Sequence, residues 1–315
     1  MGQLPLAAAV AEGLTDLAIV LAAAKLGAEI FERLRQPPIV GEILAGVAIG
    51  PAAIGLVSSS AALEIFAELG VVLLLFWVGL ETRLADLGRV GRQAGLVGGL
   101  GVVFPLAGGL LLGIALGKSF VTALFLGTAL VATSVGITSA TLVELGMLRS
   151  PAGRTILGAA VIDDVLAMLV LAVSVGVAAD AGVDVVGIAL TLAVAVAFVA
   201  AVAVVGPRLL RRRPGLLTAP RFANSPLLPA LILCLGLAAA AAHVGLAAII
   251  GAFLAGMVLA EVDEKHVLER EVAPLYALFP PFFFVWIGIQ IDAVRITAPA
   301  MTSHRARSAR FRTGV

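Results

Sequence analysis

Ten apolar stretches, separated by short links, constrain this chain more than any single residue does. They cover about residues 10–31, 38–55, 61–80, 94–117, 119–145, 152–179, 184–210, 226–243, 245–261 and 273–297. A helix needs roughly 20 mostly apolar residues to cross a hydrocarbon core of about 30 Å. Within lipid each segment must satisfy its own backbone N–H and C=O groups, and a helix does so. Only 13% of the residues are charged and 61% are hydrophobic, whereas an ordinary soluble domain has about 25% charged residues. The chain therefore reads as an all-α polytopic membrane protein. Its net charge of +1 offers no footprint for a nucleic acid. Cys234 is the one cysteine, so there is no intramolecular disulfide, and it reads as a small packing residue. The first stretch contains Asp16, Lys25 and Glu29, with no basic segment before it. It reads as a retained helix rather than a signal peptide.

Cytoplasmic links are enriched in Lys and Arg. The links after spans 1, 3, 5 and 7 hold Arg33 and Arg35; Arg83, Arg89 and Arg92; Arg149 and Arg154; and Arg208, Arg211, Arg212, Arg213 and Arg221. The link after span 9 holds Lys265 and Arg270 among acids, the link after span 4 only Lys118, and the links after spans 2, 6 and 8 neither residue type. Odd-numbered links are expected in the cytoplasm and the N-terminus outside.

An internal repeat follows. Residues 41–50 read GEILAGVAIG and 251–260 read GAFLAGMVLA, while 76–81 read FWVGLE and 285–290 read VWIGIQ. The offsets are 251 − 41 = 210 and 288 − 79 = 209. Spans 2 and 3 thus correspond to spans 9 and 10, and span 1 to span 8. An offset of seven spans makes equivalent helices cross in opposite directions, the inverted-topology repeat of secondary transporters. The expected organisation is a first repeat over 1–181, a linker helix and basic loop over 182–223, an incomplete second repeat over 224–300, and an unrelated polar tail over 301–315. Counterparts of spans 4 to 6 are expected after residue 297, so the chain reads as shortened within its second repeat.

Asp163 and Asp164 stand in the apolar run GAAVIDDVLAMLVLAV, twelve residues into span 6. At about 1.5 Å per residue that is roughly 18 Å, near the bilayer midplane. Carboxyl groups at that depth are expensive unless they face a wet cavity or a partner. A carboxyl group holds either a proton or a metal cation, and that mutual exclusion is the chemistry of proton/cation exchange. The plainer alternative is a structural pair bonded to neighbouring helices. Adjacent positions point about 100° apart, so the two are expected to have different partners.

Span 5 contains ATSVGITSAT, in which Thr133, Ser134, Thr138, Ser139 and Thr141 surround Gly136. Such hydroxyls bond back to helix carbonyls and bend helices. A break there would free carbonyls to bind an alkali cation; the alternative is close packing of small residues. Glu42 reads as an interfacial residue, Glu81 and Asp292 as solvated helix ends, His243 as incidental, and Phe282, Phe283, Phe284 and Trp286 as packing. No phosphate loop, metal-spaced His/Cys cluster or nucleophile elbow appears, and no enzyme is expected.

The Gln-Pro-Pro…Gly-Glu…Leu-Ala-Gly run from Gln36, Phe-Trp-Val-Gly-Leu-Glu at 76–81, Thr133-Ser134, Ile-Asp-Asp-Val at 162–165 and Phe-Phe-Phe-Val-Trp-Ile-Gly at 282–288 together resemble the monovalent cation:proton antiporters of the sodium/hydrogen exchanger superfamily. The resemblance covers about residues 10–297. It implies a thirteen-span inverted-repeat fold, about ten spans of which are present, with a six-helix core containing two crossed, broken helices beside a dimerisation domain. It implies that Asp164 is the ion-binding carboxylate, Asp163 its companion, and Thr133 and Ser134 the break of the first crossed helix. The helix that in the family carries a lysine beside the aspartates, and the second crossed break, have no counterpart before Val315.

The expected function is secondary transport that exchanges Na+, Li+ or K+ for protons by alternating access, with no cofactor. The expected setting is a homodimer in the inner (plasma) membrane. A non-transporting fragment of such an antiporter is the alternative. An intramembrane aspartyl protease is remote, since such enzymes oppose aspartates from separate helices.

Overall fold

The computed structural model describes residues 6–82, 84–178, 185–212, 225–262 and 265–291. Asp292, the tail 301–315 and most of the basic loop lie outside them. Twelve helices are described: α1 (Leu6–Arg33), α2 (Pro38–Ile49), α3 (Ala61–Glu81), α4 (Leu84–Ala115), α5 (Phe120–Val131), α6 (Val135–Glu144), α7 (Pro151–Ala178), α8 (Val185–Arg212), α9 (Leu227–His243), α10 (Ala248–Leu259), α11 (Lys265–Leu278) and α12 (Pro280–Gln290). Among the described residues six helical stretches are long and apolar enough to cross a membrane: Ala61–Glu81, Gly91–Ala115, Phe120–Glu144, Pro151–Val175, Ala189–Leu210 and Lys265–Gln290. Three shorter apolar helices, α2, α9 and α10, together with α1, complete the match to the ten stretches.

The ends of these helices follow from local chemistry. Pro38 opens α2, where a missing N–H costs nothing. Ser119 caps α5 by accepting from the Thr122 N–H (3.3 Å). Helices α4, α6 and α9 stop at Gly117, Gly146 and Gly245, each with positive φ. The residue after each glycine donates back to the helix, as Lys118 N–H does to the Gly113 carbonyl (3.0 Å).

One departure from the sequence reading concerns span 10. It was expected over 273–297, but its helix begins at Lys265, turns at Phe279–Pro281 and ends at Gln290. The polar start resembles a link, yet Leu268 and Val272 are fully buried on one face. Glu42, read as interfacial, is buried in the protein at 8% exposure. Glu81 is an ion-pair partner rather than a simple solvated end.

The chain divides into two compact units, residues 1–70 with 278–315, and residues 71–277; α3 runs from one into the other. In the first unit α1, α2 and α12 pack together around Val20, Ala24, Leu63, Phe282, Val285 and Ile289. Phe66 stacks on Phe279 (5.8 Å between ring centres). In the second, α4 lies against α5 and α7, and α10 against α8 and α9. Phe76, Leu80, Cys234, Ala252, Leu259 and Leu268 share a core there.

The repeat appears as one contact built twice. Within the first unit an added Cβ at Gly46 would meet the Val285 carbonyl, and one at Gly288 the Ile43 carbonyl. Within the second, Gly256 meets the Phe76 carbonyl and Gly79 the Phe253 carbonyl. Gly46 with Gly288 maps onto Gly256 with Gly79 by the offsets of 210 and 209. The preceding turn repeats as well: Arg35 (φ 55°) and Gly245 (φ 83°) are 245 − 35 = 210 residues apart.

Two contacts in the second unit join links expected on one membrane face. Arg149, after α6, pairs with Glu81 at the end of α3 (2.8 Å). Ser225, before α9, donates to Glu271 on α11 (2.5 Å).

Candidate functional site

The apolar stretch Phe120–Glu144 is interrupted where α5 ends and α6 begins. Ala132 (φ −63°, ψ 104°) and Ser134 (φ −78°, ψ 103°) are extended. The intervening Thr133 donates its hydroxyl proton to the Val131 carbonyl (3.0 Å). The Ser134 hydroxyl accepts from the Ile137 N–H (3.3 Å) and so caps α6. These short side chains satisfy backbone groups that the break would otherwise orphan. The break also brings the positive end of α6 and the negative end of α5 to one place within the membrane-crossing stretch.

Asp163 and Asp164 lie on α7, which packs against α4 and α5. On α4, Gly98 approaches the Ala159 carbonyl and Gly101 faces the Asp163 carboxyl group, 3.9 Å from where a Cβ would stand. Asp163 is 7% exposed and Asp164 half-buried. Asp163 Oδ1 and Asp164 Oδ2 are buried without a hydrogen-bond partner in the protein. The Thr133 side chain stands beside the Asp163 carboxyl group.

Both carboxyl groups and Thr133 line a cavity of about 340 Å³, together with Phe125, Thr128, Ala129, Ala132, Ala167, Met168 and Leu171. Asp164 alone of the pair also borders a second space of about 10 Å³, walled by Leu75, Val135, Leu157, Ala160, Val161, Ile249, Ile250 and Phe253. That volume is about one water probe, and its walls are otherwise apolar. Ser134 lines neither space. Sequence reading missed Thr128, whose signal was a lone hydroxyl in an apolar run, and the seam residues Leu75 and Phe253, which look like ordinary core.

A helical membrane bundle with a broken helix beside a carboxyl-bearing helix has the features of a secondary transporter. The sodium/proton antiporter MjNhaP1 from Methanocaldococcus jannaschii has this fold, with a TM-score of 0.62 over 92% of this chain and 72% of that one, at 19% identity. The family model described as "Sodium/hydrogen exchanger, transmembrane" matches residues 18–304, and the chain belongs to that family. It is 37% identical over 282 residues to the Na(+)/H(+)-K(+) antiporter GerN of Bacillus cereus, covering 88% of this chain and 71% of that protein. It is 33% identical over 327 residues to the high-affinity Na(+)/H(+) antiporter NhaS3 of Synechocystis, covering 93% of this chain and 71% of that one. The protein is therefore a multi-pass membrane transporter of cations and protons, not an enzyme.

Proposed function

We propose that this chain exchanges a monovalent cation, Na+, Li+ or K+, for protons by alternating access at Asp163 and Asp164. One observation carries the reading. Two carboxyl groups with unpartnered buried oxygens and the hydroxyl at a helix break line one cavity. An unsatisfied carboxylate in a medium of low polarity is costly. A proton relieves that cost by neutralising the charge, and a small cation relieves it by pairing with it; one excludes the other. The names of GerN and NhaS3 support Na+ and K+ as cargo, and Li+ shares their chemistry.

In this reading Asp164 is the carrier, because it borders both the cavity and the apolar seam. Asp163 supplies the second charge, Thr133 an oxygen ligand, and Ser134 the cap that keeps the helix broken. The cavity is one route of access, and the seam is the opposite route in its closed state. The protein works as a homodimer in the inner (plasma) membrane with its N-terminus outside. The repeats run over 1–181 and 224–300, joined by 182–223.

The test is dequenching of a pH-gradient dye in everted vesicles on adding NaCl, LiCl or KCl. Wild-type protein is expected to respond to at least one salt and Asp164→Asn to none. The apparent KM for the cation is expected to fall as pH rises, because protons then vacate the carboxyl groups that the cation needs. Matching traces for wild type and Asp164→Asn in every salt would reject the proposal.

A further inference from the structure

We propose that Thr128 contacts the transported cation directly, and that a two-proton switch with Ser174 turns its oxygen toward the ion. The inference rests on the antiporter reading and adds a specificity-determining residue to the same site.

Thr128 and Ser174 are 8% and 0% exposed. Their hydroxyl oxygens are 2.7 Å apart and join α5 to α7. Thr128 Oγ1 is also 2.9 Å from the Leu124 carbonyl, and Ser174 Oγ is 2.8 Å from the Val170 carbonyl. Two hydroxyls carry one proton each, but three contacts each call for one. Only two of the three are hydrogen bonds at a time.

Of the three ways to place the protons, two keep a hydrogen bond across the 2.7 Å oxygen–oxygen contact, and the third leaves two oxygens facing each other at that distance with no proton between them. In one of the first two, Thr128 donates to the Leu124 carbonyl and Ser174 donates to Thr128, which occupies a lone pair of the Thr128 oxygen. In the other, Ser174 donates to the Val170 carbonyl and Thr128 donates to Ser174. The Thr128 oxygen then accepts nothing. Each carbonyl keeps its own helical N–H donor, so neither is orphaned by the exchange. The two arrangements swap one hydroxyl–carbonyl bond for another of the same kind and lie close in free energy. A ligand that interacts differently with two balanced states shifts their populations. A cation in the cavity does so, because it favours the arrangement in which both Thr128 lone pairs are free.

The cavity supplies the reason for such a residue. Among its lining side chains Thr128 and Thr133 are the uncharged oxygen bearers, beside Asp163 and Asp164. The Thr133 hydroxyl is engaged with the Val131 carbonyl. An ion that sheds its water requires several oxygens in replacement, and the number and placement of those oxygens distinguish Li+, Na+ and K+.

The test titrates NaCl, LiCl and KCl in two assays: thermal stabilisation of the detergent-purified protein, and pH-gradient dequenching in everted vesicles. Thr128→Val keeps the shape and removes the oxygen. It is expected to raise the half-saturating concentration of the preferred cation at least about fivefold in both assays, the size of one lost contact of hydrogen-bond strength, and to change the Li+:Na+:K+ order or ratio. Thr128→Ser is expected to restore both. Ser174→Ala removes the donor that occupies the Thr128 oxygen and leaves Thr128 bonded to the Leu124 carbonyl, so it is expected to keep half-saturation at or below the wild-type value. If the Val variant does not insert, Thr128→Cys makes the same comparison. The inference is overturned if Thr128→Val leaves half-saturation and ion ratios unchanged while Asp164→Asn has lost its cation response. It is equally overturned if Thr128→Val and Ser174→Ala lower the melting temperature alike with ion ratios intact, which marks a helix clamp. Wild-type protein with no cation response, or Asp164→Asn that responds as wild type does, defeats the antiporter reading itself.

Discussion

Alanine at Gly256 is expected to destabilise the protein by about 1–3 kcal/mol, the usual cost of forcing extra atoms into a packed site. The geometry argues for the upper half of that range. The new Cβ would enter the Phe76 carbonyl and lie 2.8 Å from both Gly79 Cα and Leu80 N. Carbon atoms sit comfortably at about 3.5 Å, so the shortfall is roughly 0.7 Å. Every one of those neighbours is backbone and cannot rotate aside, so α3 and α10 must part along the crossing. A radial gap of about 0.5–1 Å forfeits a quarter to a half of each dispersion contact, and Phe76, Leu80, Ala252, Ala255 and Leu259 all meet there.

Thermal unfolding of the detergent-purified protein, followed by loss of the folded size-exclusion peak, measures this. Gly236→Ala is the control: nothing lies within 4 Å of its would-be Cβ. It is expected to be neutral or to stabilise by up to about 1 kcal/mol through helix propensity. Adding Gly79→Ala to Gly256→Ala is expected to cost much less than Gly79→Ala alone, because one separation of the helices relieves both clashes. The repeat predicts the same behaviour for Gly46→Ala and Gly288→Ala. A Gly256→Ala protein as stable as Gly236→Ala would refute the close crossing, and strict additivity of Gly79 with Gly256 would refute the shared displacement.

The apolar seam yields another expectation. Phe253→Ala or Leu75→Ala, each removing a side chain at most 2% exposed, is expected to cost about 2–5 kcal/mol and to let vesicles lose their pH gradient before any cation is added. A tight gradient in both variants would show that the seam is not the barrier. The Arg149–Glu81 pair, with side chains 64% and 20% exposed, is expected to give a coupling of about 0.2–1 kcal/mol in a double-mutant cycle and to weaken with salt. The exchanged pair Arg149→Glu with Glu81→Arg is expected to regain most of that coupling, and a salt-independent value above about 2 kcal/mol would contradict a surface pairing.

The succession of apolar helices was legible in the sequence because its causes are local or repeated. Arginines mark links, and Gly46 and Gly79 recur as Gly256 and Gly288 at offsets of 210 and 209 because each lets two backbones approach. What each glycine touches was not legible, since Gly79 and Gly256 are 256 − 79 = 177 residues apart. The span 10 boundary was misread for a different reason. Lys265, His266, Glu269, Arg270 and Glu271 give α11 the composition of a link, yet Leu268 and Val272 share one face and are buried with Phe76 and Leu80.

The candidate site divides the same way. Adjacent residues on a helix diverge by about 100°, so the sequence implies that Asp163 and Asp164 face different surroundings without saying what those are. The surroundings come from α4, which presents Gly101 to Asp163, and from α3 and α10, which close Leu75, Ile250 and Phe253 over one side of Asp164. No local pattern links those residues to the pair. Asp163 meets one cavity and Asp164 meets two spaces, so the carboxyl groups are not interchangeable. Any rearrangement that opened the seam while closing the cavity would change the exposure of Asp164 from one side to the other and leave Asp163 bordering only the side that closed. That asymmetry is the ground on which the proposed carrier role falls to the second aspartate rather than the first.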